Sequence, residues 1–461
     1  MKLISLQFDH NSGKSLYVQL YQYLKDEIAQ GKMAAGEKLP SLRKLSKDLG
    51  ISITTTELAY NQLLVEGYVT SKPQSGYYVA QDAGTAPLME TDTEKELEFS
   101  SYTFEASPYK HDLSCFDFNK WKKCSSKVLN DFSHMLLFES DPQGEAALRF
   151  EISKYVYKSR GVLATPEQIV IGAGTQQLTS HLCRIMRKMN IGHVATEDPG
   201  YVPVQNIFRD HGFSITKVPV DPDGIKIDKL PTNIPSAVYV SPSNQFPTGS
   251  IMPVGKRYRL LEWAKANNSF ILEDDYDSEL RYFGKPVPAL QGLDKDARVV
   301  YLGSFSSTLF PAIKISYMVL PKEMTPIFHA IKSDYTQTCS KTEQLTLALF
   351  MEEGFYYTNI RKLRNLYAQK LQVALSAFEK YGSGIAQPAN KTNSGINIIL
   401  KVRTKKAPSD LCEIAKAIGL NVLPVSNLTE QDTAALIFYY NQIPLDEIDE
   451  LVGEMIARWA A

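Results

Sequence analysis

Residues 38–79 read KLPSLRKLSKDLGISITTTELAYNQLLVEGYVTSKPQSGYYV, and this stretch decides the N-terminal fold. Ser41 is a good N-cap, and Leu42, Leu45 and Leu49 lie on one face of a short helix that Gly50 ends. A second helix follows at once: Ser52 caps it, Leu58, Leu63 and Leu64 give it an inner side, and Gly67 stops it. GYVTSKPQSGYYVA then reads as two strands about a tight turn punctuated by Pro73 and Gly76. Upstream, Leu16, Leu20, Leu24 and Ile28 recur every four positions and mark one buried helix face, closed by Gly31. Helix, helix, turn, helix, hairpin is the order of a winged helix-turn-helix, expected over residues 1–80.

Outward from this module, residues 81–108 combine small residues and acids with few aliphatics, which fits a linker. Beyond it, apolar runs such as QIVIGA, HVATED, AVYVSP, SFILEDD and VVYLGSF alternate with helix-like stretches. That alternation predicts an α/β body over 109–461 with a mostly parallel sheet, and a smaller α+β lobe over 340–461. The length of 461 residues exceeds what one core normally organises. With 44% apolar and 22% charged residues, the composition excludes wholesale disorder. Five scattered cysteines without a CxxC pair or a histidine cluster suggest neither a metal site nor disulfides. No stretch approaches the ~20 apolar residues of a membrane span, so a cytoplasmic protein with no membrane partner is expected. Of the net charge of −1, residues 1–80 contribute +2 and the remainder −3, an asymmetry that permits a nucleic-acid partner without requiring one.

A helix in the major groove presents side chains to base edges while its predecessor crosses the backbone. The entering helix starts near Ser52 and offers Thr54, Thr55 and Thr56 beside Ile53. Arg43, Lys44 and Lys47, together with Lys72 and Ser75 of the wing, suit phosphates. The stretch resembles the GntR family of bacterial winged-helix regulators along its whole length. LPS, Arg43, Leu45, Leu49, Gly50, Ser52, Ala59-Tyr60, Leu63, Glu66-Gly67-Tyr68 and Ser75-Gly76 fall in that family's order and spacing. The resemblance implies a double-stranded DNA partner and adds Tyr60 and Gly76 to the contact set. One departure is Ile53, where the family commonly has arginine.

GAGTQQL (172–178) follows an apolar strand and opens a helix, so the amides of Gly174, Thr175 and Gln176 form a natural phosphate cradle. Together with EDPGY (197–201), SPSNQFPTG (241–249), ILEDDYDSELRYFG (271–284) and VVYLGSFSSTLFPAIKISYMVLP (299–321), this segment resembles the fold-type I aminotransferases. The resemblance implies a pyridoxal phosphate pocket. Tyr201 would lie near the ring, Asn244 or Gln245 on its phenolic oxygen, Asp274 on its pyridine nitrogen and Tyr276 on the phenolic oxygen.

Taken with the N-terminal module, the motifs resemble the MocR subfamily of GntR regulators over nearly the whole chain. In that pattern glycine, Ser/Thr, Phe and Ser precede the lysine that forms the Schiff base. Here Gly303, Ser304, Phe305 and Ser306 are followed by Ser307. A serine hydroxyl forms no imine, so no catalytic residue is expected. The family's later arginine is Lys314, which keeps the charge but loses the planar fork. The stretch aligned with the family's carboxylate-binding arginine places Ile437 there. The resemblance thus implies a homodimeric DNA-binding regulator, not an enzyme, whose pocket takes a small-molecule effector. Ser304, Ser306, Ser307, Lys314, Asp274 and Tyr276 would hold pyridoxal phosphate or an adduct without a covalent link, or another small molecule in its place. The competing class is an aminotransferase-like enzyme using a different lysine, such as Lys314.

Overall fold

The computed structural model describes residues 6–9, 13–81, 109–282, 287–389, 394–425 and 432–461. The chain divides into two compact units, Met1–Glu105 and Ala106–Ala461. The stretch read as a linker lies, except for Gln81, outside the described residues.

The first unit holds α1 (Leu16–Ala29), α2 (Leu42–Leu49), α3 (Ile53–Val65) and the hairpin β1 (Val69–Lys72) and β2 (Gly76–Val79). Ser41 accepts from the Lys44 amide and Ser52 from the Thr55 amide, so both predicted caps form. Gly50 takes the left-handed conformation that ends α2. The core gathers Leu20, Leu24, Ile28, Leu39, Leu45, Ala59, Tyr60 and Leu63 under Val69 and Val79. Leu58 was expected inside but is exposed. The inner face of α3 instead runs Thr56, Ala59, Tyr60, Leu63, the i, i+3, i+4, i+7 pattern of a helix packed on one side.

The second unit opens with α4 (Phe118–Asp131) and α5 (Ala146–Arg160). Then strands and helices alternate: β3 (Ile169–Gly172), α6 (Thr175–Lys188), β4 (His193–Asp198), α7 (Val202–Asp210), β5 (Ser214–Asp221), β6 (Gly224–Ile225) and β7 (Ala237–Val240). They continue through α8 (Val254–Ala266), β8 (Phe270–Asp274), β9 (Val299–Ser304), β10 (Ser316–Val319) and α9 (Thr325–Ile331). The eight-stranded sheet has the order β3-β10-β9-β8-β7-β4-β5-β6. Strands β9, β8, β7, β4 and β5 run parallel, and β10 is antiparallel to both neighbours. The fully apolar strands AVYV and the FIL of FILED are buried from end to end, as a sheet covered on both faces requires.

Two helices, α10 (Lys341–Glu352) and α11 (Phe355–Tyr381), follow, separated at Gly354. Leu347, Phe350 and Tyr356 pack into the same core as Leu148 and Ile152, so this region belongs with the large sheet. The separate core of the smaller lobe begins further along α11, at Leu363. It is completed by β11 (Ala386–Pro388), β12 (Asn397–Arg403), α12 (Pro408–Lys416), β13 (Val422–Pro424), β14 (Thr433–Tyr439) and α13 (Ile448–Ala460), with an antiparallel sheet in the order β11-β12-β14-β13. The smaller lobe therefore starts about two turns into α11 rather than at residue 340.

Candidate functional site

Parallel strands present their carboxyl ends along one edge, where loops rather than side chains of the sheet meet a ligand. A cavity of about 520 Å³ opens at that edge, within the range of small-molecule sites. Ten predicted residues line it: Gly174, Thr175, Gln176, Tyr201, Asp274, Tyr276, Ser304, Ser306, Ser307 and Lys314. Asn244 does not reach this wall. It lines an adjoining recess that shares Tyr276 and Asn397 with the cavity. Gln245, the alternative to Asn244, donates to the carbonyls of Pro199 and Phe246 and so serves the loop.

At one end, Gly174 caps α6 with φ +92°, a conformation that favours glycine. Helix geometry leaves the first-turn amides of Thr175 and Gln176 without intrahelical acceptors, and the dipole makes this end favourable to anions. Opposite them, Ser316 Oγ donates to Ser304 Oγ at 3.0 Å, and the Ser306 amide donates to Ser304 Oγ at 3.3 Å. Lys314, the one lysine of the wall, makes no ion pair among the described residues. Its φ of +48° is sparse for a residue with a side chain, a conformation found more often at functional sites. Gly303 precedes the serines because a side chain there would run into the ring of Tyr317.

The wall beyond is aromatic and acidic. Tyr201, Phe246 and Tyr276 meet edge to face, with ring centroids 6.0 and 6.2 Å apart. Asp274 ends β8 and accepts a hydrogen bond from Tyr239. Burial pushes its carboxyl up to about 7; Tyr239 works against this, and the charges of Asp275 and Asp277 add to it. Behind the cavity, Asp275 accepts from Arg160 Nε at 2.7 Å and from Tyr301 at 2.6 Å, and its pKa is lowered: the guanidinium outweighs burial.

Sequence reasoning missed several lining groups. Phe246, Asp277 and Ser316 sit within or next to the quoted motifs. Ile396, Asn397 and Tyr439 come from the smaller lobe, where the register pairs Asn397 with Tyr439. Ile437 lies two residues before Tyr439, buried in a small apolar cluster with Phe246 and Tyr439.

In the first unit, Arg43, Lys44, Ser52, Thr54, Lys72 and Ser75 are exposed, and Thr55 and Gly76 half-exposed. Thr55 Oγ1 lies 2.8 Å from Ser52 Oγ, and Lys72 Nζ sits 4.7 Å from the Tyr78 ring centroid, which the Ser75 hydroxyl also touches. Two expected contacts are corrected. Thr56 and Tyr60 are fully buried, and the Tyr60 hydroxyl donates to the Pro40 carbonyl at 3.0 Å. A side chain with no exposed surface reaches no base or phosphate; these two hold the fold.

The fold and its strand-edge cavity define an aminotransferase-type body joined to a winged helix-turn-helix. Residues 16–79 match the bacterial regulatory proteins of the gntR family, and residues 105–433 match aminotransferase class I and II. The chain is 41% identical over 451 residues to the HTH-type transcriptional regulator YdeL of Bacillus subtilis, covering 96% of each. It is 30% identical to the probable rhizopine catabolism regulatory protein MocR of Rhizobium meliloti, over 91% of this chain and 88% of that one. The kynurenine aminotransferase of Pyrococcus horikoshii shares the fold at a TM-score of 0.65 and 22% identity, over 77% of this chain and 90% of that one. The chain belongs to the MocR-like HTH-type transcriptional regulators, which join a GntR DNA-binding module to a class I and II aminotransferase domain. Among the described residues, no helix is long and apolar enough to cross a membrane.

Proposed function

We propose that the chain is a ligand-responsive transcriptional regulator whose aminotransferase-type body binds a phosphorylated pyridine without a covalent link and performs no transamination. One observation carries this reading: the cavity keeps an anion cradle and the buried Asp274 carboxyl, and Ser307, which the family resemblance aligns with the Schiff-base lysine, lines it. Among the described residues the Asp274 carboxyl has no cationic partner, so a ligand bringing a protonated ring nitrogen would satisfy it. The kynurenine aminotransferase of like fold was crystallised in complex with PMP.

Thr175, Gln176, Ser304, Ser306 and Lys314 would hold the phosphate, Tyr201 and Tyr276 would flank the ring, and Asp274 would keep its nitrogen protonated. Pyridoxal phosphate supplies an aldehyde conjugated to an electron-withdrawing ring. Ser307 has no amine to join to that aldehyde and none to carry protons between carbons. Ile437 offers no pairing for a carboxylate, which argues against a simple amino acid as effector. In the DNA module, Arg43, Lys44, Lys72, Ser75 and Gly76 would face phosphates, and Ser52, Thr54 and Thr55 would face base edges. Exposed Leu113, Leu137, Phe138, Phe150 and Leu163 support a body that pairs with a second copy.

The test uses the full-length chain. Native mass spectrometry after addition of pyridoxal phosphate is expected to show the ligand bound, and borohydride treatment followed by denaturation to return the bare chain mass. A fixed adduct on a lysine, or turnover of amino-acid pairs equal to that of Ser307→Lys, would overturn the non-catalytic reading. On the chain's own upstream DNA, the Arg43→Ala/Thr55→Ala double variant is expected to bind on the order of tenfold or more weakly. Unchanged binding would remove the proposed docking.

A further inference from the structure

Asp277 is a buried acid for which the roles above leave no use. It lies three residues beyond the end of β8, is 4% exposed and lines the same cavity as Ser307. Among the described residues its Oδ1 has no hydrogen-bond partner. Its neighbour on the same wall is Ser307, whose hydroxyl favours the charged form of the carboxyl. Among the described residues Lys314 is the one cation of the cavity wall, and it makes no ion pair with Asp277. The backbone at Asp277 is held at φ +56°, a conformation that non-glycine residues rarely adopt.

An unpaired carboxylate oxygen in a low-dielectric wall calls for a cation with protons to give. A lysine at position 307 would be that cation, next to Asp277. Serine removes the ammonium and leaves the carboxylate behind. We infer that the ligand restores the missing charge: this end of the cavity takes a primary ammonium, held between Asp277 Oδ1 and the Ser307 hydroxyl. Within the phosphorylated-pyridine reading proposed above, on which this inference rests, the preferred ligand is the aminomethyl form, pyridoxamine 5′-phosphate. Its ammonium has three N–H donors, enough for Asp277 and Ser307 with one to spare. The aldehyde form brings only oxygen lone pairs to the same place, set against those of Asp277. Asp277 is then the residue that selects between two ligands identical in ring and phosphate.

Parallel calorimetric titrations of the full-length wild type with pyridoxal 5′-phosphate and pyridoxamine 5′-phosphate test this. The amine is expected to bind about 10- to 100-fold more tightly, the range of one charge-assisted hydrogen bond. Asp277→Asn is expected to bring the two affinities within about threefold, chiefly by weakening the amine. Ser307→Lys, which supplies an internal ammonium, is expected to reverse the order. The wild-type comparison stands without any variant, and Ser307→Lys tests the same pairing if Asp277→Asn does not fold. Equal affinities in the wild type, or tighter binding of the aldehyde, would overturn the inference and leave the cofactor reading standing. Binding of neither ligand would overturn both.

Discussion

Asp275 and Asp274 are neighbours in the chain and both are buried, yet the protein matches one and leaves the other to the cavity. On the rear side of the strand end, Asp275 meets Arg160 through two nitrogens, 2.7 and 3.0 Å away, and Arg160 is itself fixed by Ser243. Glu273, one residue before Asp274, accepts from the Leu290 and Gln291 amides, and Glu279 accepts from Tyr155. On the cavity side, Asp274 and Asp277 have hydroxyl neighbours and, among the described residues, no cation. Within β8 alternation turns Glu273 and Asp274 to opposite faces, and the loop after the strand sends Asp275 to Arg160 and Asp277 to the cavity, so one acidic run supplies both a structural brace and a ligand site. A buried acid with a protein partner holds the fold; one without a partner marks where a ligand's charge belongs.

The largest expected effect breaks the braced side. Arg160→Ala strips Asp275 of its guanidinium while leaving it buried, a change that costs about 3–5 kcal/mol. Chemical denaturation of the variant should show that loss. A loss within about 1 kcal/mol, the size of an exposed pair, would mean that the brace contributes little.

The cavity side should respond to pH with the opposite sign to a braced acid. Burial pushes Asp274 up to about 7, and it pushes Glu197, at the end of β4 with an unpartnered Oε1, up to about 8. Both folded values lie above the unfolded ones, so the stability tied to the neutral forms is complete below the unfolded pKa. It is lost as pH rises through about 7 and 8. Between its unfolded and folded pKa each group should remove about 1.4 kcal/mol per pH unit, and beyond the folded pKa nothing further. Denaturation of the ligand-free chain from pH 5 to 8 should show this decline, and Glu197→Gln should flatten its upper part. A stability that instead rises over this range would reverse the comparison between paired and unpaired acids.

Much of this division could be read in advance. Strand ends carrying Gly174, Asp274 and Ser304 were legible because an apolar run followed by a polar turn is a local signal, and the caps Ser41 and Ser52 were legible for the same reason. Asn397 and Tyr439 were not: they reach the cavity only because β12 and β14 pair and the smaller lobe packs where it does. Asp277 was not legible either, since nothing in the string DDYD says which acids find an arginine. Leucine composition alone puts Leu58 inside, whereas helical phase places Thr56, Ala59, Tyr60 and Leu63 on the buried face.

That phase splits α3 as β8 splits its acids, and the smallest expected effect tests the split. Thr54 is exposed on the first turn, whereas Tyr60, two turns on, gives its hydroxyl to the Pro40 carbonyl and packs edge to face on Tyr77 with centroids 5.0 Å apart. Tyr60→Phe keeps the ring and deletes one hydrogen bond, leaving the carbonyl short of a donor, at a cost of about 1 kcal/mol. DNA affinity of the folded variant should stay at the wild-type value, because the side chain has no surface to offer. Thr54→Ala should do the reverse, with stability nearly unchanged and DNA binding weakened. If Tyr60→Phe lowers affinity without lowering stability, the buried face of α3 takes part in recognition, and the helix is not divided as its burial indicates.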